Sequence, residues 1–303
     1  MFSSFNVKEE RALNIPINYL QHLNFFSKNF LKFLISSSIF LSINGALKVL
    51  FAQLLYNIFA IDIIIASSFA VYSIYSLNKL TDIKEDMINS PDRVKIIEKR
   101  KNIFTTSVVI SFFIAIVLGL LRSFSCVMIL FFPLFCGVLY SIRFPGMPRL
   151  KDITGVKNII IALSWGVGSS MLPVIVVEEI PYMRTMLLLY FFSVKSFINS
   201  LLFDLRDIEG DRISGVRTIP VVIGRRKTEI LLIVLNSTLV IWFLFVFING
   251  MFEYTPVLAF SIIYGYWYIL HFSRRKDIGM SIDVLVDGEW IPVIAFALLL
   301  YII

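Results

Sequence analysis

Histidine and cysteine are almost missing from this 303-residue chain: His22, His271, Cys126 and Cys136 are all there is. Zinc takes several of these side chains at fixed spacings, so a zinc centre is excluded, and the two cysteines fall in one apolar stretch with no metal-ligand spacing. They read as packed or lipid-facing. Charge is scarce as well: 16% of residues are Asp, Glu, Lys or Arg and 58% are hydrophobic, where soluble domains carry about 25% charge. Such a chain cannot cover a water-soluble surface, and the composition describes a polytopic membrane protein. Nothing resembles a removable leader, since Lys8, Glu9, Glu10 and Arg11 precede any apolar run. Low-complexity sequence is absent too.

What is present is a succession of apolar runs. A bilayer core takes about 20 residues per helix, and candidate spans fall at 33–55, 60–78, 104–121, 124–141, 155–176, 184–204, 229–249, 255–272 and 286–303. The expected architecture is all-α, with nine transmembrane helices around a central cavity. Residues 1–32 form an N-terminal cytoplasmic or interfacial segment, with an interfacial helix between Tyr19 and Phe30. Residues 33–303 form a single domain of two diverged halves, 33–150 and 151–303.

The net charge of +7 is not a nucleic-acid footprint, because the 28 basic residues are sorted. Twenty-four of them precede the first run or follow runs two, four, six and eight; only Lys48, Lys195, Arg122 and Arg184 fall elsewhere. By the positive-inside rule that side is cytoplasmic, with the N-terminus inside and the C-terminus outside.

Acidic residues gather at two equivalent places. In "NKLTDIKEDMINSPDR" (78–93), Asn78, Asp82 and Asp86 recur every four residues; in "DLRDIEGDR" (204–212), Asp204, Asp207 and Asp211 follow at three and four. Both spacings put the side chains on one helix face, where like charges repel unless a cation compensates. Each cluster closes an even-numbered run, four runs apart, and leads into a connection with proline and basic residues. This is the pattern of a diverged duplication with two facing half-sites. Oxygen-only donors at two places suit magnesium, which binds through one or two carboxylates and substrate phosphate oxygens.

At these residues the chain resembles the UbiA superfamily of intramembrane prenyltransferases. Asn78, Asp82 and Asp86 occupy positions of its first motif, with Lys79 where an Asp is usual, and Asn89, Pro91 and Arg93 match the segment that follows. Asp204, Asp207 and Asp211 match the second motif, followed by Arg217, Thr218, Pro220 and Gly224; Tyr140, Ser141 and Lys151 resemble the link between helices four and five. The resemblance implies transfer of a prenyl group from an isoprenyl diphosphate donor to a hydrophobic acceptor, aromatic or lipid-like, within the bilayer. It implies two Mg2+ ions held by Asn78, Asp82, Asp86, Asp204, Asp207 and Asp211. It assigns Asp82, Asp86, Asp207, Asp211 and Tyr140 to catalysis, and Asn78, Arg93, Lys151, Ser141, Asn158 and Arg217 to substrate. Lys195, an ionisable residue at membrane depth before Asp204, is a further substrate candidate. Phosphosugar transfer to a polyprenyl phosphate, within the same superfamily, is the alternative enzyme, and a cation-coupled transporter the alternative of another class. A CDP-alcohol phosphotransferase is disfavoured because no Ala-Arg completes its signature after Asp207.

Other polar residues in apolar context carry weaker expectations. Lys48 and Asn44 lie within the first run, where an ionisable group is a functional candidate. Asp283 and Asp287 lack a partner motif and are expected to be solvated or to start a helix. His271, before Ser-Arg-Arg-Lys, is expected to anchor at the interface.

Overall fold

The computed structural model describes residues 29–81, 83, 87, 91–141, 153–177, 181–275 and 278–302. Most of the expected interfacial helix at 19–30 lies outside them. Every regular element among the described residues is helical. In chain order these are α1 (Asn29–Ser36), α2 (Ile39–Leu55), α3 (Ile61–Thr81), α4 (Pro91–Glu98), α5 (Lys101–Arg122), α6 (Phe124–Ser141), α7 (Val156–Met171), α8 (Tyr182–Arg206), α9 (Ile208–Ile213), α10 (Ile219–Ile223), α11 (Arg225–Ile248), α12 (Thr255–Ser273), α13 (Ser281–Leu285) and α14 (Trp290–Ile302). A 3₁₀ turn at Pro173–Val176 prolongs α7, and another at Asp287–Glu289 leads into α14.

Five of these helices are long and apolar enough to cross a bilayer: α3, α5, α7 with its 3₁₀ extension, α8 and α11. α1 and α2 add a sixth if the pair, bent by 69°, is one span. The expectation of nine spans is therefore met in part. The runs at 124–141, 255–272 and 286–303 do form helices, but the 13 residues of α14 rise only about 20 Å, against a hydrocarbon core of about 30 Å. The sequence count overlooked the break at Asp287 and Gly288, and the serine-rich joint before α2. At that joint Ser38 has a left-handed backbone with φ of 65°. The Ser37 and Ser42 hydroxyls bond back to the carbonyls of Leu34 and Ile39 at 3.3 and 3.0 Å, which offers the backbone an alternative to a straight helix.

Packing closes the helices into a ring. α2 lies on α3, α3 on α5 and α6, α6 on α7, α7 on α8, α8 on α11 and α12, and α12 on α14, which returns to α2. The α7–α8 contact is the most intimate. It depends on Gly166, where an added Cβ would stand 2.0 Å from the Ser193 Oγ. Small residues that let helix backbones approach are the usual cement of membrane bundles, because lipid tails leave no hydrophobic drive between helices. One core cluster joins α2, α8, α11, α12 and α14 around Phe51, Phe192, Trp242, Tyr268 and Trp290; a second joins α2, α3, α5 and α6. Ile110, Phe113 and Leu121 on α5, and Ile230, Val234, Ile241 and Ile248 on α11, are apolar and exposed, as lipid-facing surfaces are.

Polar contacts mark the two ends of the ring. At one, Asp62 at the start of α3 pairs with Arg122 at the end of α5, and Tyr56 donates to Thr185 at 2.9 Å. At the other, Lys79 donates to the carbonyls of Ile35 and Ser36 at 2.9 and 3.1 Å. There too Arg225 reaches the carbonyls of Leu205, Ser273 and Arg275. Lys79 and Arg225, two of the basic residues that the sequence sorts to one side, lie at this second end.

Candidate active site

Inside the ring lies a cavity of about 300 Å³. α2 contributes Asn44, Gly45 and Lys48; α3 contributes Tyr75 and Lys79; α4 contributes Arg93; α7 contributes Lys157 and Trp165; and α8 contributes Lys195, Ser196, Asn199, Asp204 and Arg206. Asp207, Asp283, Asp287, Glu289 and Trp290 complete the wall. Six cations and five carboxylates thus face a space walled by a membrane-type bundle. Charges so placed need partners, and most have them.

Asp204, only 2% exposed, accepts from Asn158 Nδ2 at 2.7 Å and pairs with Lys157 at 3.1 Å. Asn158 also donates to Ser200 at 3.0 Å. The Asp207 carboxylate accepts two bonds from the neighbouring Arg206 guanidinium, at 2.7 and 2.9 Å. Arg206 reaches on to Asp283 at 3.5 Å, and Asn199 donates to Asp287 at 3.1 Å. Asp211, on the short helix α9, is buried but is not among the residues lining the cavity. Burial pushes its carboxyl up to about 6, and the Asp204 charge pushes the same way against Lys157. Burial likewise raises Asp283, while Arg206, Arg93 and Lys79 pull it down. Crowded carboxylates that resist ionisation mark a place that favours an added cation.

The donor chemistry fits magnesium. Asp204, Asp207 and Asp211 offer oxygen alone, and among the described residues neither histidine nor cysteine lines the cavity. Among the described residues no three acidic, histidine or cysteine side chains form a ready metal cage. Magnesium itself takes few carboxylates and completes its shell from phosphate and water. The oxygens of Asp204 and Asp207 keep lone pairs beyond those used by Lys157, Asn158 and Arg206.

The sequence-derived site residues distribute as follows. Asp204, Asp207, Arg93 and Lys195 line the cavity. Asn158 is buried and holds Asp204; Asn78 and Arg217 are exposed, away from the cavity wall. Asp82, Asp86 and Lys151, and the side chains of Tyr140 and Ser141, lie outside the described residues. The Lys195 ammonium is fully engaged, pairing with Glu289 at 2.9 Å and donating to the Ser261 carbonyl and the Tyr268 hydroxyl at 3.0 Å each. Asp283 and Asp287 do start helical turns, α13 and the 3₁₀ turn before α14, but they line the cavity rather than lying solvated. Lys157, Arg206 and Glu289 were not singled out by sequence, and Lys79 only as the residue standing where the first motif usually has an Asp. For Arg206 and Lys157 a signal existed, since one lies inside the second acidic motif and the other one position before Asn158.

Beside the polar cavity is a smaller apolar one of about 50 Å³, between α2, α3, α6 and α7. Gly45, Tyr75 and Trp165 border both. Trp165 Nε1 donates to the Tyr75 hydroxyl at 2.7 Å, and a Cβ on Gly45 would press on the indole at 3.2 Å.

Against known proteins, the sequence profile of the UbiA prenyltransferase family matches residues 37–283. The digeranylgeranylglyceryl phosphate synthase of Natronomonas pharaonis is 28% identical over 176 residues, or 54% of this chain and 57% of that protein. The match thus spans little more than half of that curated relative. Among solved structures, a UbiA homologue from Archaeoglobus fulgidus bound to GPP and Mg2+ superposes with a TM-score of 0.64 at 15% identity, covering 88% of this chain and 96% of that one. A UbiA homologue from Aeropyrum pernix K1, without ligand, gives 0.65 at 15% identity over 85% and 98% of the two chains.

Proposed function

The chain belongs to the UbiA prenyltransferase family, and from that premise we propose that it moves a prenyl group from an isoprenyl diphosphate to the hydroxyl of a lipid-like acceptor carrying an anionic head. The observation that carries this reading is one cavity with an acidic wall, a ring of cations and an apolar annex. The relative from Natronomonas is named for a product with two geranylgeranyl groups on glyceryl phosphate. One transfer earlier, that product is geranylgeranylglyceryl phosphate, which is the acceptor we favour, with geranylgeranyl diphosphate as donor.

In this reading Asp204, Asp207 and Asp211, with Asp82 and Asp86 from the other half, hold two Mg2+ ions. Bound magnesium neutralises the diphosphate and stabilises its leaving oxygen. Arg93, Lys157 and Lys79 bear on the same oxygens, Lys151 joins them, and charge-assisted bonds of this kind are the strong ones. The acceptor oxygen bonds to C1 of the prenyl group and the C1–O bond to diphosphate breaks. Its electron pair leaves with diphosphate, which also takes the hydroxyl proton. Positive charge on the allylic carbon meets the face of Tyr75, and the closed ring keeps water from it. The prenyl tail occupies apolar space such as the annex behind Trp165. Residues 33–303 act as one domain of two related halves spanning the membrane nine times, with the site and the N-terminus on the cytoplasmic side and the C-terminus outside.

The test is diphosphate release by purified protein given geranylgeranyl diphosphate, Mg2+ and separate acceptors, with Asp207→Ala alongside. Release that requires metal, acceptor and Asp207 supports the reading. Equal release by the variant, or none with any acceptor, overturns it.

A further inference from the structure

Lys48 has no place in the diphosphate site, yet its side chain is buried, 4% exposed, on the cavity wall. Its ammonium lies over three aromatic rings, 4.8 Å from the centroid of Trp165, 5.3 Å from Trp290 and 5.5 Å from Phe192. It donates to the Ser196 hydroxyl at 2.6 Å. Among the described residues it forms no ion pair, in contrast with Lys195 one residue before that serine, which is bound to Glu289. A cation withdrawn from water needs compensation, and three ring faces supply a part of it. Two of the three N–H groups have no acceptor assigned to them.

Position separates this lysine from the metal end. Ser196 precedes Asp204 by two helical turns on α8, about 12 Å at 1.5 Å per residue. A diphosphate held at Asp204 and Asp207 ends well short of that level. One turn before Lys48 on α2 stands Asn44, 1% exposed and also on the cavity wall. Its Nδ2 donates to the Phe40 carbonyl at 3.0 Å, and its Oδ1 is buried without a partner. An unpaired amide oxygen beside an ammonium without a carboxylate partner is suited to a hydroxyl next to an anionic oxygen.

We propose that Asn44 and Lys48 form the acceptor subsite, in which Lys48 binds the acceptor's anionic head and Asn44 accepts from its hydroxyl. The inference rests on the transferase reading and extends it by giving the acceptor a negative charge and a position. Phosphate on a glyceryl lipid and carboxylate on a phenol share this chemistry. In either case the hydroxyl points back along α8 toward the donor carbon, and the ammonium holds the far end.

Binding decides it without turnover. Labelled geranylgeranylglyceryl phosphate and labelled 4-hydroxybenzoate are each titrated against the full chain in detergent with no donor, and an unreactive thio analogue of geranylgeranyl diphosphate with Mg2+ is titrated separately. Wild type is expected to bind one of the two anions, and which one distinguishes phosphate from carboxylate. Lys48→Met should weaken that binding roughly 10- to 100-fold, the worth of a charge-assisted contact, and leave the donor analogue within threefold. Lys48→Arg, which keeps charge and stacks on rings, should retain most of it. In turnover, Lys48→Met should raise the acceptor KM and spare the donor KM. The inference is overturned if wild type binds neither anion, if Lys48→Met binds as tightly as wild type, if Lys48→Arg is as weak as Lys48→Met, or if donor binding falls in parallel. Acceptor binding that depends on Lys48 without any diphosphate release would instead count against the transferase reading alone.

Discussion

Glu289→Gln tests whether Lys195 is a structural cation or a substrate contact. Lys195 and Glu289 are 1% and 4% exposed and meet at 2.9 Å, and the remaining donors of Lys195 go to Ser261 and Tyr268. Removing the carboxylate charge leaves an ammonium in the bundle with two neutral acceptors. Breaking a buried pair from one side costs about 3–5 kcal/mol, whereas replacing both partners by apolar groups of like size is often neutral. Glu289→Gln and Lys195→Met should therefore each lower the stability of the protein by about that amount. The double variant Lys195→Met/Glu289→Met should recover most of the loss. The assay is unfolding in mixed detergent micelles followed by tryptophan fluorescence, with donor KM measured on each folded variant. If Glu289→Gln unfolds with wild type, or the double variant loses as much as the sum of the singles, the pair is not what holds α8 to the 3₁₀ turn. If the double variant is stable but its donor KM rises tenfold or more, Lys195 touches substrate.

Three further outcomes are expected. Asn158→Ala deletes the 2.7 Å bond to Asp204; the loss of a bond to a charged group, about 1.5–3 kcal/mol, should appear as a right-shifted Mg2+ dependence of diphosphate release, and an unshifted titration would remove Asn158 from the site. Gly166→Val forces a side chain into the space of the Ser193 hydroxyl and should destabilise the bundle by about 1–3 kcal/mol. Gly168→Ala, with nothing within 4 Å of the new Cβ, should not; equal effects would refute the close α7–α8 packing. In a background with Cys126 and Cys136 replaced, single cysteines at positions 93 and 217 should react with an impermeant maleimide only from the cytoplasmic side. Reaction from opposite sides would break the two-half-site arrangement.

By itself the sequence determined the all-helical membrane character, through apolar runs too long and charge too sparse for water. It also sorted the basic residues to one end, because each connection is read locally. Only the tertiary structure decided which polar residues share a space. Asp283 and Asp287 show a helix-start pattern in sequence, and the tertiary fold places them on the cavity wall. Lys48 and Lys195 look alike as lysines within apolar runs. Yet Lys195 faces Glu289, which is 94 positions away in the chain, while Lys48 faces three rings drawn from α7, α8 and α14. Spacing along a helix fixes which side chains share a face; the closure of the ring, set by close approaches such as Gly166 on Ser193, fixes what each face meets.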